Sequence, residues 1–160
     1  FLGYLQMVPV NGDFCFESAW LRKHGGFYFL PLAWGSDDIS AFIGASKNGV
    51  ANTQSIVFQY RRNPYTISST GNVELKLEAI LREYKWYKTF LCQEPNNQED
   101  ILYHRELVRK LDVYFQKKLG HNLSNAFKNS KLSVFIWLFR RRKYNISFKA
   151  FAYALSEAFK

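Results

Sequence analysis

The sequence predicts an α/β fold in which residues 1–72 combine strands with short helices, and residues 73–160 form a helical, basic extension. Two observations lead to this prediction. Residues 4–10, 12–16 and 55–60 are either rich in residue types that favour strands or alternate between apolar and polar residues, as strands do. In the second region, apolar residues instead recur every three to four positions, as they do on the buried face of a helix.

Two short helices are predicted among the strands. One covers residues 18–24 and ends at Gly25-Gly26, because glycine readily adopts the left-handed conformation that terminates a helix. The other covers residues 37–48, with Ser36 as the N-cap and Gly49 as the residue that follows the C-cap.

The second region is predicted to contain only helices. Pro95-Asn96-Asn97 is expected to separate the first two of them, and Gly120 is expected to end the second. The predicted ranges are 73–91, 101–119, 123–129, 132–143 and 147–160.

The overall composition is that of a folded protein without a disulfide framework. Apolar residues make up 48% of the chain and charged residues 22%. Cys15 and Cys92 are too far apart in the sequence for a typical pair of zinc ligands. No apolar run is long enough to span a bilayer, and the first residues do not resemble a signal peptide. We therefore expect a cytoplasmic protein, with peripheral attachment at the inner face of the plasma membrane as an open alternative.

The net charge of +9 is concentrated at the C-terminal end, where residues 113–160 carry ten Lys or Arg and one acidic residue. This asymmetry favours an anionic partner, either a lipid surface or a nucleic acid. The segment that begins at Leu132 and ends at Lys143 places apolar and aromatic residues beside four consecutive cations, which is typical of a helix lying on an anionic membrane. The alternative is that these apolar residues pack against the preceding helices and that the charges are solvated.

Three motifs carry the chemistry that the sequence predicts. Gly25-Gly26-Phe27 ends one helix, Trp34-Gly35-Ser36-Asp37-Asp38 opens the next, and Tyr60-Arg61-Arg62 ends a strand. In this order, the motifs resemble the second half of the catalytic domain of family 2 glycosyltransferases, the inverting enzymes of GT-A fold. The resemblance covers about residues 8–90.

The resemblance implies that Asp38 is the general base, which takes a proton from the acceptor hydroxyl as that hydroxyl attacks the anomeric carbon. Asp37 matches the acidic position before the base, and Gly35 matches the glycine of the same motif. The N-terminal end of the helix dipole favours the charged form of Asp38. On spacing alone, the alternative is that Ser36, Asp37 and Asp38 only stabilise the start of a helix.

Four other residues are candidates for substrate contacts. Trp34 can stack on a sugar ring, or it can pack in the core. Arg61 and Arg62, which follow Tyr60 at the end of a strand, can hold the leaving diphosphate with their guanidinium groups. The alternative for these two arginines is that they are solvated or paired with acidic side chains.

The resemblance also implies substrates and a cofactor. The donor is a nucleotide-diphospho-sugar, and the acceptor is a saccharide or a lipid-linked acceptor in bacterial cell-surface polysaccharide or glycolipid synthesis. Similar enzymes bind Mn²⁺ or Mg²⁺ through an Asp-x-Asp motif, which this sequence does not contain. Since the chain begins at Phe1 in a strand-like segment, we expect the donor-binding half and its metal site upstream, and we expect this part alone to be inactive.

Two alternative functions remain open from the sequence. A non-catalytic membrane-docking module would use the segment from Leu132 to Lys143, and a nucleic-acid-binding module would use the basic C-terminal end. The nucleic-acid alternative is supported by charge alone, because the sequence contains no recognised nucleic-acid-binding motif.

Overall fold

The computed structural model describes residues 15–46, 49, 51 and 72–160, and every regular element in these ranges is a helix. The predicted α/β class is therefore wrong, since the described residues form an all-helical fold without a strand. The strands predicted in 4–10 and 55–60 lie outside the described residues, and residues 15 and 16 belong to no regular element. Gly25, Gly26 and Gly35 all have positive φ and lie beside helix ends.

Helix α1 spans Ser18–Lys23. It ends as predicted at Gly25-Gly26, where φ is 90° and 83°. The amide of Gly26 donates a hydrogen bond of 2.9 Å to the carbonyl of Leu21, which satisfies a carbonyl in the last turn of the helix.

Helix α2 spans Ser36–Ala45, so it begins one residue earlier and ends three residues earlier than predicted. Its N-cap is Gly35 and not Ser36. The Ser36 hydroxyl accepts a 3.0 Å hydrogen bond from the amide of Leu30, which attaches the preceding loop to the first turn of α2. That loop contains a short 3₁₀ turn, Pro31–Ala33.

Helix α3 spans Val73–Phe90 and begins where the sequence predicts. The Asn72 side chain caps it by accepting hydrogen bonds from the amides of Glu74 and Leu75 at 2.8 and 3.3 Å.

Helix α4 spans Gln98–Asn129, a single helix of 32 residues where the sequence predicts two. The predicted stop at Gly120 is wrong because this glycine serves a close approach between helices. A Cβ atom at Gly120 would lie 2.9 Å from the carbonyl oxygen of Ala150 on the last helix. The absence of a side chain lets the two backbones pack closely.

Two shorter helices complete the chain. Helix α5 spans Ser133–Arg140, within the predicted range 132–143. Helix α6 spans Phe148–Ala158, as predicted to within two residues at its C-terminal end. The Ser147 hydroxyl caps α6 by accepting a 3.1 Å hydrogen bond from the amide of Ala150.

The main apolar core lies between α3, α4 and α6, and α2 contributes Phe42 to it. Edge-to-face contacts between aromatic rings, such as Phe42 with Tyr87 and Phe127 with Phe151, fill much of this core. A smaller cluster of Leu30, Ile39 and Ala79 fixes the loop before α2 against α3. Among the described residues, we find no helix with both the length and the apolar character needed to cross a membrane.

Candidate active site

Three charged side chains from three helices meet at one point, which we call the Lys118 cluster: Asp38 of α2, Glu83 of α3 and Lys118 of α4. The Nζ atom of Lys118 lies 2.9 Å from Oε1 and 2.8 Å from Oε2 of Glu83. The same nitrogen lies 3.2 Å from Oδ2 of Asp38. An ammonium group has three hydrogens to donate, so these contacts satisfy it fully.

The helical period explains how two of these charges reach the interior. On α3, Leu77, Ile80, Glu83 and Tyr87 follow one another at helical spacing, and all four are buried. On α4, Lys118 follows Phe115 by three positions and precedes the buried Leu119. Each charge therefore lies on or beside the apolar face of its helix, where a charged side chain could not be buried without a partner of opposite charge.

The three side chains of the cluster differ in their exposure to solvent. The Glu83 side chain has no exposed surface, whereas the side chains of Asp38 and Lys118 are each 18% exposed. Glu83 thus supports the cluster from inside, and Asp38 is the carboxylate that solvent reaches.

The cluster contains one more carboxylate than ammonium groups, and its electrostatics reflect this. Burial raises the pKa of Glu83 to about 7, against the attraction of Lys118 and with a smaller contribution from the charge of Asp38. Burial disfavours the Lys118 ammonium, but the charges of Glu83 and Asp38 outweigh this effect and raise the pKa of Lys118 above its ordinary value. Burial, followed by the charge of Asp38, raises the pKa of Asp37.

Gly35 forms the wall of the cluster next to Glu83. Its φ is 84°, and a Cβ atom there would lie 2.7 Å from Oε2 of Glu83. The residues just before it, Leu32 and Ala33, also have positive φ, at 57° and 53°. Such conformations are costly for residues other than glycine, so packing of the loop must hold them in place. The structure thus requires glycine at position 35 for two independent reasons, the positive φ and the closeness of Glu83.

Trp34 lies beside the cluster, half-buried and packed against both apolar clusters. The Nζ atom of Lys76 lies 4.5 Å from the centroid of its ring, a cation–π contact. Burial lowers the pKa of Lys76. Within the described part of the chain, the buried Nε1 of Trp34 has no hydrogen-bond acceptor. This is the position expected from the core-packing alternative for Trp34.

The structure brings Asp38, Asp37, Gly35 and Trp34 together at the N-terminal end of α2. The other predicted site residues, Tyr60, Arg61 and Arg62, lie outside the described residues.

Sequence reasoning missed Glu83 and Lys118. The signal that could have found Glu83 is an acidic residue at an apolar position of the α3 period, between Ile80 and Tyr87. Lys118 is 80 positions away from Asp38, and its place in the site follows only from the packing of α4 against α2 and α3.

The carboxylates of this site do not fit a divalent cation. Both oxygens of Glu83 and Oδ2 of Asp38 accept hydrogen bonds from the Lys118 ammonium, which occupies the place where a cation would bind. In the residues that the structure describes, no group of three or more His, Cys, Asp or Glu side chains is arranged as a metal site. The metal predicted for a segment upstream of this chain therefore stays a prediction.

Comparison with known proteins yields no match to a family model, to a curated protein or to a solved structure. The resemblance to family 2 glycosyltransferases accordingly rests on the motifs of this sequence alone.

Proposed function

We propose that Asp38 is the general base of a sugar-nucleotide-dependent, inverting glycosyltransferase to which this chain contributes the acceptor side. The observation that carries the proposal is the geometry of one carboxylate. Asp38 lies in the first turn of α2, is partly exposed, and has one oxygen, Oδ2, held by Lys118. The proposal rests on these residues and on their motif, because the α/β architecture predicted with them is not the one observed.

In the proposed reaction, the acceptor hydroxyl donates its proton to the Asp38 carboxylate as its oxygen attacks the anomeric carbon of the donor sugar. The new glycosidic bond forms on one face of the sugar. The bond to the nucleotide diphosphate breaks on the other face, and its electron pair leaves with the diphosphate. A single base is sufficient for this displacement, so Asp37 has no separate proton-transfer step.

Lys118 and Glu83 serve as positioning residues in this proposal. Glu83 accepts two hydrogen bonds from Lys118 and keeps the ammonium in place, while the longer contact of 3.2 Å orients Asp38. Holding a reacting group in one orientation contributes to catalysis because it removes the entropic cost of aligning it during the reaction.

Asp38 is partly exposed to solvent and Glu83 is not, which favours this assignment over a purely structural ion pair. Both oxygens of Glu83 accept hydrogen bonds from Nζ, so Lys118 keeps two hydrogen bonds without Asp38. A second carboxylate also increases the negative charge of a cluster whose Glu83 already has a raised pKa. Buried ion pairs contribute little net stability, and a cluster with excess charge contributes less.

The test is nucleotide release from UDP-, GDP- and TDP-sugars with Mn²⁺ or Mg²⁺, measured on the full native protein and on its Asp38→Asn variant. We expect one donor to be turned over and the variant to lose about 10²- to 10⁴-fold in kcat, as removal of a general base does. Binding of the nucleotide should be unchanged. Asp100→Asn, which alters an exposed acid on α4, is the matched control and should stay active.

Two results would contradict the proposal. The first is turnover by Asp38→Asn at the wild-type rate. The second is failure of the native protein to bind any sugar nucleotide of the panel.

A further inference from the structure

Helix α5 exposes a continuous apolar stripe. Leu132, at its N-cap, and Phe135, Ile136 and Phe139 follow one another at helical spacing, and all four are more than half exposed. The exposed fraction reaches 82% at Phe139, the last of them. The opposite face holds Trp137, which is buried against Tyr144 with ring centroids 5.5 Å apart. The helix is thus anchored to the protein on one side and presents aromatic rings to solvent on the other.

Cations flank this stripe in the sequence. Residues 131–149 contain six Lys or Arg and no acidic residue. Arg140 and Lys143 each lie 3.3 Å from the carboxylate of Glu74 on α3. The Arg141 guanidinium lies over the exposed ring of Phe148, 3.5 Å from its centroid.

The three remaining cations, Lys131, Arg142 and Lys149, are exposed at the two ends of α5 and at the start of α6. Solvent-exposed cations next to solvent-exposed aromatic rings form a surface with two properties at once. It attracts negative charge, and it has apolar area to bury.

We propose that this surface, formed by the stripe and its six cations, docks on an anionic lipid bilayer. A helix of eight residues is about 12 Å long, well short of the roughly 30 Å hydrocarbon layer, so α5 lies in the plane of the interface. The stripe enters the boundary of headgroups and acyl chains, and the cations contact the anionic headgroups.

Charge complementarity selects the bilayer over other occupants. A second copy of the chain in a two-fold dimer would bring two surfaces of the same positive sign together, since Glu74 pairs with only two of the six cations, and this is repulsive. A nucleic acid would satisfy the cations but leave the apolar stripe in water. An anionic bilayer satisfies both parts of the surface.

The experiment measures binding of the full chain to vesicles of phosphatidylcholine with about one quarter phosphatidylglycerol, and to vesicles of phosphatidylcholine alone. We expect binding to the anionic vesicles that weakens with salt. The Phe135→Ser/Phe139→Ser variant should bind more than about tenfold less tightly, because two exposed aromatic anchors are lost. Arg142→Ser/Lys149→Ser should lose about fivefold for each cation removed.

The matched control is Leu102→Ser/Val113→Ser, which removes two exposed apolar side chains from α4, and it should bind as the wild type does. Because the assay contains no sugar nucleotide, its result is independent of the proposed transferase activity.

Four outcomes would overturn the proposal. The first is equal binding to neutral and anionic vesicles, and the second is the absence of any effect of the phenylalanine substitutions. The third is a dimer in sedimentation equilibrium that dissociates when those phenylalanines are replaced. The fourth is tighter binding to duplex DNA that needs Arg142 and Lys149 but not the phenylalanines. The third outcome would assign the surface to a second copy of the chain, and the fourth would assign it to nucleic acid.

Discussion

The described residues contain several clusters of charged side chains, and two of these clusters differ mainly in burial. In the Lys118 cluster, one ammonium lies between two carboxylates, and Glu83 has no exposed surface. In the second cluster, which we call the Glu74 cluster, the carboxylate of Glu74 accepts from Arg140, Lys143 and the hydroxyl of Tyr144, and its side chain is 41% exposed.

The pKa values of the two glutamates are shifted in opposite directions, by burial at Glu83 and by hydrogen bonds at Glu74. The pKa of Glu83 is raised because burial disfavours its charge more than Lys118 favours it. The pKa of Glu74 is lowered, chiefly because Tyr144 and Lys143 donate hydrogen bonds to an exposed carboxylate. The contribution of a glutamate beside cations to stability therefore changes with pH in opposite directions, depending on whether its carboxylate is buried or exposed to water. The predictions below test this difference, in order of decreasing effect.

Lys118→Met should have the largest effect. It leaves Glu83 and Asp38 near each other without the ammonium that neutralises them, and removal of one partner from a buried ionic cluster typically costs about 3 to 5 kcal/mol. Urea denaturation at neutral pH measures the loss. Lys117→Met replaces the exposed neighbour and should leave the midpoint unchanged. Equal effects of the two substitutions would contradict the assigned role of burial.

Gly35→Ala should destabilise the protein by about 2 to 4 kcal/mol, because it adds the cost of a left-handed alanine to a collision with Glu83. Gly26→Ala is the matched control. Its φ is 83°, nearly the same, but no atom lies within 4 Å of the position of its Cβ. We expect it to cost about 1 to 2 kcal/mol. The difference between the two free energies of unfolding isolates the contact with Glu83. If the two free energies are equal, the Glu83 side chain moves away from the added Cβ without cost.

The raised pKa of Glu83 predicts that stability falls as the pH rises from about 4.5 to about 7. The sign follows because a carboxyl with a higher pKa in the folded chain binds more protons when folded than when unfolded. We expect a loss of about 1 to 3 kcal/mol between pH 5 and pH 8, measured by urea denaturation. Glu83→Gln should remove most of this slope. A wild-type protein that gains stability over the same interval would contradict the prediction.

Glu74→Gln should have the smallest effect, and its pH dependence should have the opposite sign. Since the pKa of Glu74 is lowered, its contribution is present above the ordinary value of 4.5 and is lost as the pH falls below it. Denaturation midpoints at pH 3 and pH 5 should therefore differ slightly less in the variant than in the wild type. At neutral pH, the substitution should leave the midpoint almost unchanged, because exposed ion pairs contribute little. A large loss at neutral pH would show that burial is not what separates the two clusters.

Local signals in the sequence predicted much of the helical region. The predicted helix starts at 73 and 147 agree with α3 and α6 to within one residue, and in the structure the side chains of Asn72 and Ser147 cap these helices. Gly25-Gly26 ends α1 as expected. These predictions succeed because capping and termination depend on hydrogen bonds and backbone conformations within a few residues of each other.

The fold class was wrong because the glycine-rich first region contains weak, short strand signals. In the described part, Gly25, Gly26 and Gly35 lie at helix ends, Gly35 also approaches Glu83, and Gly44 lies inside α2 against the ring of Phe16. A glycine indicates an unusual backbone position, but which element it borders depends on what packs against it. Asp37 and Asp38 were predicted as acids of the site, and in the structure the Nζ atom of Lys118 lies 3.2 Å from Oδ2 of Asp38.

Neighbouring residues are enough to predict where most helices of residues 72–160 begin and which charges these helices carry. Only the tertiary structure decided that Gly120 continues a helix, because its role depends on the backbone of α6 passing 2.9 Å from the position of a Cβ. The tertiary structure alone also brought together Asp38, Glu83 and Lys118, which lie on three helices and span 80 positions of the chain. A charge at an apolar position of a helix requires a partner, but the packing of the helices chooses which one.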